Sequence, residues 1–487
     1  MRRTFRMPFT AAQAFQGERL RTVPYVRMHG KPYCLTTAVG YTEEELAALR
    51  TAAEQMHRVF VKALRFVQTE LPDVSLVNQL GIHPSLVEAA RRQCPHTGIA
   101  RQDWILGPEG WKCIENNADT PTGIPEAAYL SGSLLAELEQ EQGQRQRLEL
   151  EETRDAVRDT VKELGRNPGR DPGREPAATG TGCKLHNISA PLAERLQAAL
   201  CDLLRWYEQQ GLGRKVVFSS FGDHSEDRAN TLFLMELVQA AGWDATYVPL
   251  EQMELRPEEG LFANGERVYI WYRLYPLEYL IHDQSPSGFP VGEHLMRLVA
   301  EGKLGLLNPS QSIILQSKAL MALIWTLVEH QSEWSDWLTD EHVFDEQDVC
   351  AIRTYLPPTY TTPEPFIRQR IPYVAKGLWG REGKGTTRYD EHGQAIKDED
   401  RDSEQANVQQ EQREILHYYE NQSKVYQQLI PMERVQLDTE DGQLEGYLLT
   451  GVYVPNGTFG GVLPRVGGLV TGDLASYAPG WLYTSHN

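Results

Sequence analysis

The chain has 487 residues, enough for two or three domains or for one multi-lobed enzyme. Its formal net charge of −19 excludes a general affinity for nucleic acid or an anionic membrane surface, though not a basic cleft for a small anion. The cysteines (Cys34, Cys94, Cys113, Cys183, Cys201 and Cys350) are scattered, with no C-x-x-C pair. That spacing argues against a disulfide scaffold or a zinc site and points to reduced thiols in a cytoplasmic protein. The opening MRRTFRMPFTAAQAF is basic without an apolar segment, so it reads as neither a secretory nor a twin-arginine signal. No apolar run approaches the length of a membrane span.

Residues 1–40 read as short strands and turns. Glu43 to Glu70 reads as a helix. Thr42 and Glu45 have capping-box spacing, and Leu46, Leu49, Met56, Val59, Phe60, Ala63 and Phe66 recur at helical intervals. A short helix, Ser85 to Arg92, leads to two strand-like runs, Ala100–Leu106 and Trp111–Asn117, joined by Pro108-Glu109-Gly110. A three-residue loop ending in a left-handed glycine sets Gly107 opposite Trp111, Asp103 opposite Glu115 and Arg101 opposite Asn117. Arg101, Asp103, Glu115 and Asn117 then share one face. Facing carboxylates repel, and a bound cation reverses that cost. Two carboxylates and an amide are oxygen donors suited to a hard ion such as Mg²⁺. A solvated hairpin face with scattered charges explains the same spacing equally well.

Residues 119–126 form a loop rich in hydroxyls, with Thr120 and Thr122 ahead of a helix that opens near Glu126. Such a loop suits an anion or a carboxylate, and capping by Thr122 is the plainer alternative. Glu137 to Glu163 is charge-dense, and 166–182 is rich in Gly, Pro and Arg, which reads as a linker or insertion. Pro191 to Gln210 reads as a helix. Lys215–Ser220, Ala245–Pro249 and Val268–Leu274 read as strands, with a helix through Ala240 after the first, which is a doubly wound pattern. Ligands sit at the carboxyl ends of such strands, where Glu226 and Asp227 lie. Acids complementing a helix dipole account for that pair as well. Lys318 stands in an apolar run leading into a helix that ends near Glu329, and either snorkels to the surface or points into a phosphate site. Another strand ends in Lys376 and enters a glycine-rich loop, Gly377 to Gly385. Walker A spacing fails there, because Lys384 is followed by Gly385. Tyr389 to Gln412 reads as an exposed polar insertion, Tyr426 to Pro431 as a short strand, and Gly460 to Arg465 as a tight turn or bulge followed by a cation.

Taken together, Arg-x-Asp at 101–103, Glu-x-Asn-Ala-Asp-x-x-Thr at 115–122 and Glu-Ala at 126–127 resemble the synthetase domain of the glutathionylspermidine synthase family of ATP-grasp ligases. The resemblance implies an α/β chain with α+β elements: a permuted ATP-grasp fold with a doubly wound preATP-grasp-like substrate domain. Its metal ligands precede its nucleotide lysines, as in eukaryotic glutathione synthetases. It divides the chain into 1–136 with the metal hairpin, a 137–190 insertion or linker, a 191–305 substrate domain and a 306–487 nucleotide and lid region.

The resemblance further implies Mg²⁺ on Asp103, Glu115 and Asn117, with Arg101 catalytic beside the transferring phosphate. ATP falls to Lys318, Lys376, Arg465 and Gln428, the last in a segment hinged over adenine. The substrates fall to Thr120, Thr122, Glu226 and Asp227, the two threonines standing where the family has serines. Trp271-Tyr272-Arg273 departs from the family pattern. The implied activity is amide formation between a small carboxylate, in the family glutathione, and an amine, in the family spermidine, through an acyl phosphate, with no nucleic-acid or membrane partner. A stand-alone form without the amidase domain is expected. A phosphoryl transferase, or an ATP-binding protein without turnover, is the alternative on the same fold.

Overall fold

In the computed structural model, residues 2–144, 147, 183–330, 343–396, 421–472 and 474–484 are described. The whole Gly/Pro/Arg-rich stretch 166–182, most of the charge-dense 137–163 and most of the 389–412 tract lie outside them. The fold is mixed α/β with several sheets.

The predicted hairpin is the edge of a large antiparallel sheet. Arg101–Gly107 pairs with Gly110–Asn117 on one side and with Gly442–Tyr453 on the other. Gly442–Tyr453 also pairs with Gly461–Gly467 and Arg434–Thr439. The helix Glu43–Thr69 packs on the hairpin strand Gly110–Asn117. Its capping box forms as the sequence predicts: Thr42 Oγ1 accepts from Glu45 N, and the Glu45 carboxylate accepts from Thr42 N. All seven apolar positions named for it are buried.

The doubly wound unit is a four-stranded parallel sheet, in the order Gly305–Leu307, Ile270–Arg273, Lys215–Ser219, Asp244–Tyr247. Helix Ser225–Ala240 follows the third of these strands and packs on Leu192–Gln209. A third sheet is antiparallel, in the order Thr359–Tyr360, Lys424–Gln428, Tyr373–Gly377, Thr387–Tyr389. Gly460 closes the connection ahead of Gly461–Gly467, its N–H donating to Tyr453 O at 2.7 Å. The predicted turn therefore ends at Gly460, and Arg465 lies within a strand because seven residues from Gly461 onward pair with Gly442–Tyr453. No helix among the described residues is long and apolar enough to cross a membrane.

Buried polar side chains tie these sheets together. Asn308, just past the parallel strand Gly305–Leu307, accepts from Ile99 N at 2.8 Å and donates to Ile99 O and Ala118 O, each at 2.7 Å. Gln316 Oε1 accepts from the N–H groups of Ala118 and Asp119. Gly98 has φ +73°, and a Cβ there would lie 2.1 Å from Asn308 Oδ1, so only glycine fits beside this clamp. Buried backbone groups left without partners are costly. Asn308→Ala is therefore expected to lower unfolding free energy by ~3 kcal/mol in urea titrations, against a loss under ~1 kcal/mol if water replaces the amide.

Candidate active site

The hairpin reaches its predicted pairing by a different route. Gly107 pairs with Gly110 and Leu106 with Trp111, so the connection is the two residues Pro108-Glu109, not three. Gly110, at φ +94°, begins the second strand. One extra residue, Ile114, then bulges between the Trp104–Cys113 and Asp103–Glu115 pairs. Beyond it the register is the predicted one: Asp103 opposite Glu115 and Arg101 opposite Asn117.

Asp103 is buried at the centre of a charge cluster. It accepts from Arg101 Nε at 3.0 Å, Arg465 Nη2 at 2.8 Å and Asn117 Nδ2 at 3.3 Å. Burial alone would raise its pKa, but the Arg101 and Arg465 guanidiniums outweigh burial and hold the carboxyl below its usual range. Arg101 also donates to Thr122 O at 2.9 Å. Gly451, opposite Asp103 on the next strand, makes room for it, since a Cβ there would lie 3.0 Å from Arg101 Cδ. Glu115 accepts from Lys318 Nζ at 2.8 Å, and that ammonium also donates to Gly380 O at 2.7 Å. Lys318 is 5% exposed, so it points inward and does not snorkel. Lys376 donates to Ile114 O at 3.0 Å and to Gln427 Oε1 at 2.8 Å. Burial lowers its pKa to about 8; Glu115 opposes the shift and Lys318 adds to it.

All twelve candidate residues line one cavity of about 350 Å³. Asp103, Glu115 and Asn117 line it with the four cations Arg101, Lys318, Lys376 and Arg465. Gln428 and the apolar Ile105, Val374, Leu429 and Ile430 line it as well. Thr120, Thr122, Glu226 and Asp227 belong to the same wall, where Arg101 Nη1 donates to Thr122 O. Burial and then the Glu126, Asp227 and Glu382 carboxylates push Glu226 up to about 8. Burial likewise raises Asp227, against the pull of His224. Two carboxylates and an amide oxygen are a donor set that fits Mg²⁺, with phosphate oxygens and water completing the shell. Among the described residues no group of three His, Cys, Asp or Glu converges, so an ion here needs the Asn117 amide and its ligand's own oxygens.

Sequence reasoning missed three residues at this site. Arg381, in the glycine-rich loop, donates to Glu278 Oε1 at 2.8 Å and to Thr120 Oγ1 at 3.2 Å, tying that loop to the Thr120–Thr122 loop. Tyr33 lines the cavity, and its hydroxyl donates to Glu126 at 2.8 Å. Glu126 itself is fully buried, and burial raises its pKa. Its place in the Glu-Ala pair was the signal in the sequence; Arg381 and Tyr33 carried none.

A profile of the family described as glutathionylspermidine synthase preATP-grasp matches residues 18–174 and 186–482, and the chain belongs to that family. A relative from Haemophilus influenzae, provisionally named an acid–amine ligase, is 22% identical over 252 residues, which are 51% of this chain and 47% of that protein. The chain thus spans about half the length of this curated relative. Among solved structures, a glutathione synthetase-like effector from Globodera pallida in its apo form is 10% identical; the match covers 98% of this chain and 100% of that one at a TM-score of 0.48. A protein from Methylobacillus flagellatus, provisionally named a gamma-glutamylcysteine synthetase, is 10% identical, with 84% of each chain covered at a TM-score of 0.37.

Lys376 gives the site a measurable pH signature. Its folded pKa of about 8 lies below the usual 10.5, so the charged ammonium weakens the fold at neutral pH. The unfolded chain binds more protons between those values, and stability from this group rises with pH across that window. Lys376→Met is expected to unfold at higher urea than wild type at pH 7, with the gap closing from pH 8 towards 10. A gap that does not change with pH shows that Lys376 titrates normally.

Proposed function

We propose that this member of the glutathionylspermidine synthase family is a cytoplasmic, ATP- and Mg²⁺-dependent ligase that joins a small carboxylic acid to an amine through an acyl phosphate. One observation carries the reading: a single cavity is lined by four cations, two facing carboxylates and a pair of half-buried acids. A phosphate-rich nucleotide suits the cations, and a cationic amine suits the two acids.

In this reading Asp103, Glu115 and Asn117 hold Mg²⁺, which when bound offsets the charge of the nucleotide phosphates. Lys318 and Arg465 exchange their present carboxylate partners for phosphate oxygens. The patch beside Gln428 takes the adenine. Thr120 and Thr122, with Arg381 closing over them, hold the acid so that its carboxylate oxygen meets the γ-phosphorus. Arg101 faces the phosphoryl group as negative charge spreads over its oxygens. A fixed cation at such a position commonly contributes ~10²–10³ in rate. Glu226 and Asp227 receive the amine, which displaces phosphate from the acyl carbon. The threonines, with their added methyls, leave the identity of the acid open to direct assay. Cys34, Cys113 and Cys201 are buried as the sequence suggests, whereas Cys94 and Cys183 are half-buried and Cys350 is exposed.

The test is Mg²⁺-dependent ADP release across amino acids and short peptides, glutathione among them, each with and without spermidine or another primary amine. Hydroxylamine is added in parallel to trap acyl phosphate as hydroxamate. Release that needs both an acid and an amine is the expected result, and Asp103→Asn and Glu115→Gln should each lower it by roughly 10²-fold or more. Release with an acceptor alcohol alone favours the phosphoryl transferase. ATP binding with no release on any substrate favours a protein without turnover.

A further inference from the structure

We infer that Glu226 is the proton acceptor that converts the incoming ammonium into a free amine. The inference rests on the ligase reading above and deepens it. An amine that reaches the site at neutral pH carries its proton and has no lone pair to attack with, so amide formation needs a base within reach of the nitrogen.

Among the described carboxylates near Glu226, it is the one left uncommitted. Asp227 lies 3.5 Å from His224 Nδ1. Glu382 pairs with Lys384, and Glu278 with Arg381. Glu126 accepts from Tyr33 and is shut behind the cavity wall. Glu226 lines the cavity, and its carboxylate makes no hydrogen bond or ion pair with any described residue. The rival base, His224, has a side chain 64% exposed and does not line the cavity.

The position of Glu226 in the fold fits the role. It sits in the first turn of Ser225–Ala240, where its backbone carbonyl accepts from Asn230 Nδ2 at 3.0 Å. The same Asn230 accepts from Ile124 N, so the helix turn and the Thr120–Thr122 loop are held in one frame. Arg101 lies within electrostatic reach of the Glu226 carboxylate, and both residues line the same cavity.

The surrounding charges also give Glu226 the basicity the task needs. Burial raises it first, then Glu126 from the neighbouring helix, Asp227 from its own helix and Glu382 from the glycine-rich loop, while Arg101 pulls the other way. Tyr25, Tyr33 and Cys34 complete that side, and burial raises each of them, which keeps them neutral. The outcome, about 8, is a carboxylate that accepts a proton from an ammonium far better than an exposed glutamate does.

The step balances. The Glu226 carboxylate takes one proton from R–NH₃⁺, leaving R–NH₂ and a neutral acid. The nitrogen lone pair forms the C–N bond while the acyl C–O bond to phosphate breaks, and that electron pair leaves with the phosphate. The second nitrogen proton goes to the departing phosphate, giving hydrogen phosphate.

The experiment compares two nucleophiles with the acid that the substrate panel identifies: the preferred amine, protonated at neutral pH, and hydroxylamine, already a free base. Glu226→Gln is expected to lower kcat with the amine roughly 10²-fold more than with hydroxylamine. It should also abolish the rise of the amine-dependent rate with pH through about 8. Glu226→Asp should recover part of both. An equal fall with the two nucleophiles, or a raised KM for the amine at unchanged kcat, overturns the assignment while the hydroxamate still supports the ligase. No hydroxamate from wild type with any acid overturns the ligase reading itself, and this inference with it.

Discussion

The fold depends on how the buried Asp119 is held. Its carboxylate accepts from Arg273 Nη2, from Leu277 N at 3.0 Å and from Ser312 Oγ at 3.3 Å, while its backbone N–H donates to Gln316. Arg273 and Asp119 are both without exposed side-chain surface. Such a pair adds little net stability over an apolar one, but losing either partner leaves a buried charge and commonly costs ~3–5 kcal/mol. Its effect is geometric. Arg273 ends a strand of the parallel sheet and Asp119 follows the hairpin, so the pair docks the Thr120–Thr122 loop at the carboxyl ends of the parallel strands. Ligands of doubly wound sheets collect there. The cavity is lined by this loop, by the hairpin sheet and by the sheet that carries Lys376 and Gln428.

The same principle governs the charges inside the cavity. Asp103 takes Arg101 and Arg465, and Glu115 takes Lys318. The carboxylates and the cations of the cavity therefore satisfy one another. Lys376 stands apart, since it is held by a carbonyl and an amide oxygen and by no carboxylate, and burial accordingly depresses it.

Local chemistry was legible in the sequence wherever it set local structure. The Thr42–Glu45 box and the long helix it starts follow from spacing and capping, and the strand expected to end in Lys376 runs one residue further, Tyr373–Gly377. The hairpin was legible where it matters and misread at its tip. Two counting differences, a loop shorter by one residue and a strand longer by one at Ile114, cancel beyond Trp104. Periodicity does not reveal a bulge, because Ile114 looks like any apolar strand residue. Pairing between distant segments was out of reach for the same reason. Nothing in 101–107 names 442–453 as its neighbour, and Arg465 seemed to follow a turn until its strand partners were known. Arg381 and Tyr33 were missed because each gains its place only through Glu278 or Glu126, far away in the chain.

That distance has a physical consequence. Asp103 is held by Arg101 two residues away and by Arg465, 362 residues away. Between them runs Gly442–Tyr453, whose Gly451 lets the Arg101 side chain lie across the sheet. The charge cluster cannot form from the hairpin alone, since a carboxylate pair without Arg465 and Lys318 is a repulsive one. Contacts of such sequence separation form after local ones, because closing the long loop costs entropy before any contact offsets it. A complete Asp103 cluster therefore needs Gly442–Tyr453 and Gly461–Gly467 in place beside the hairpin.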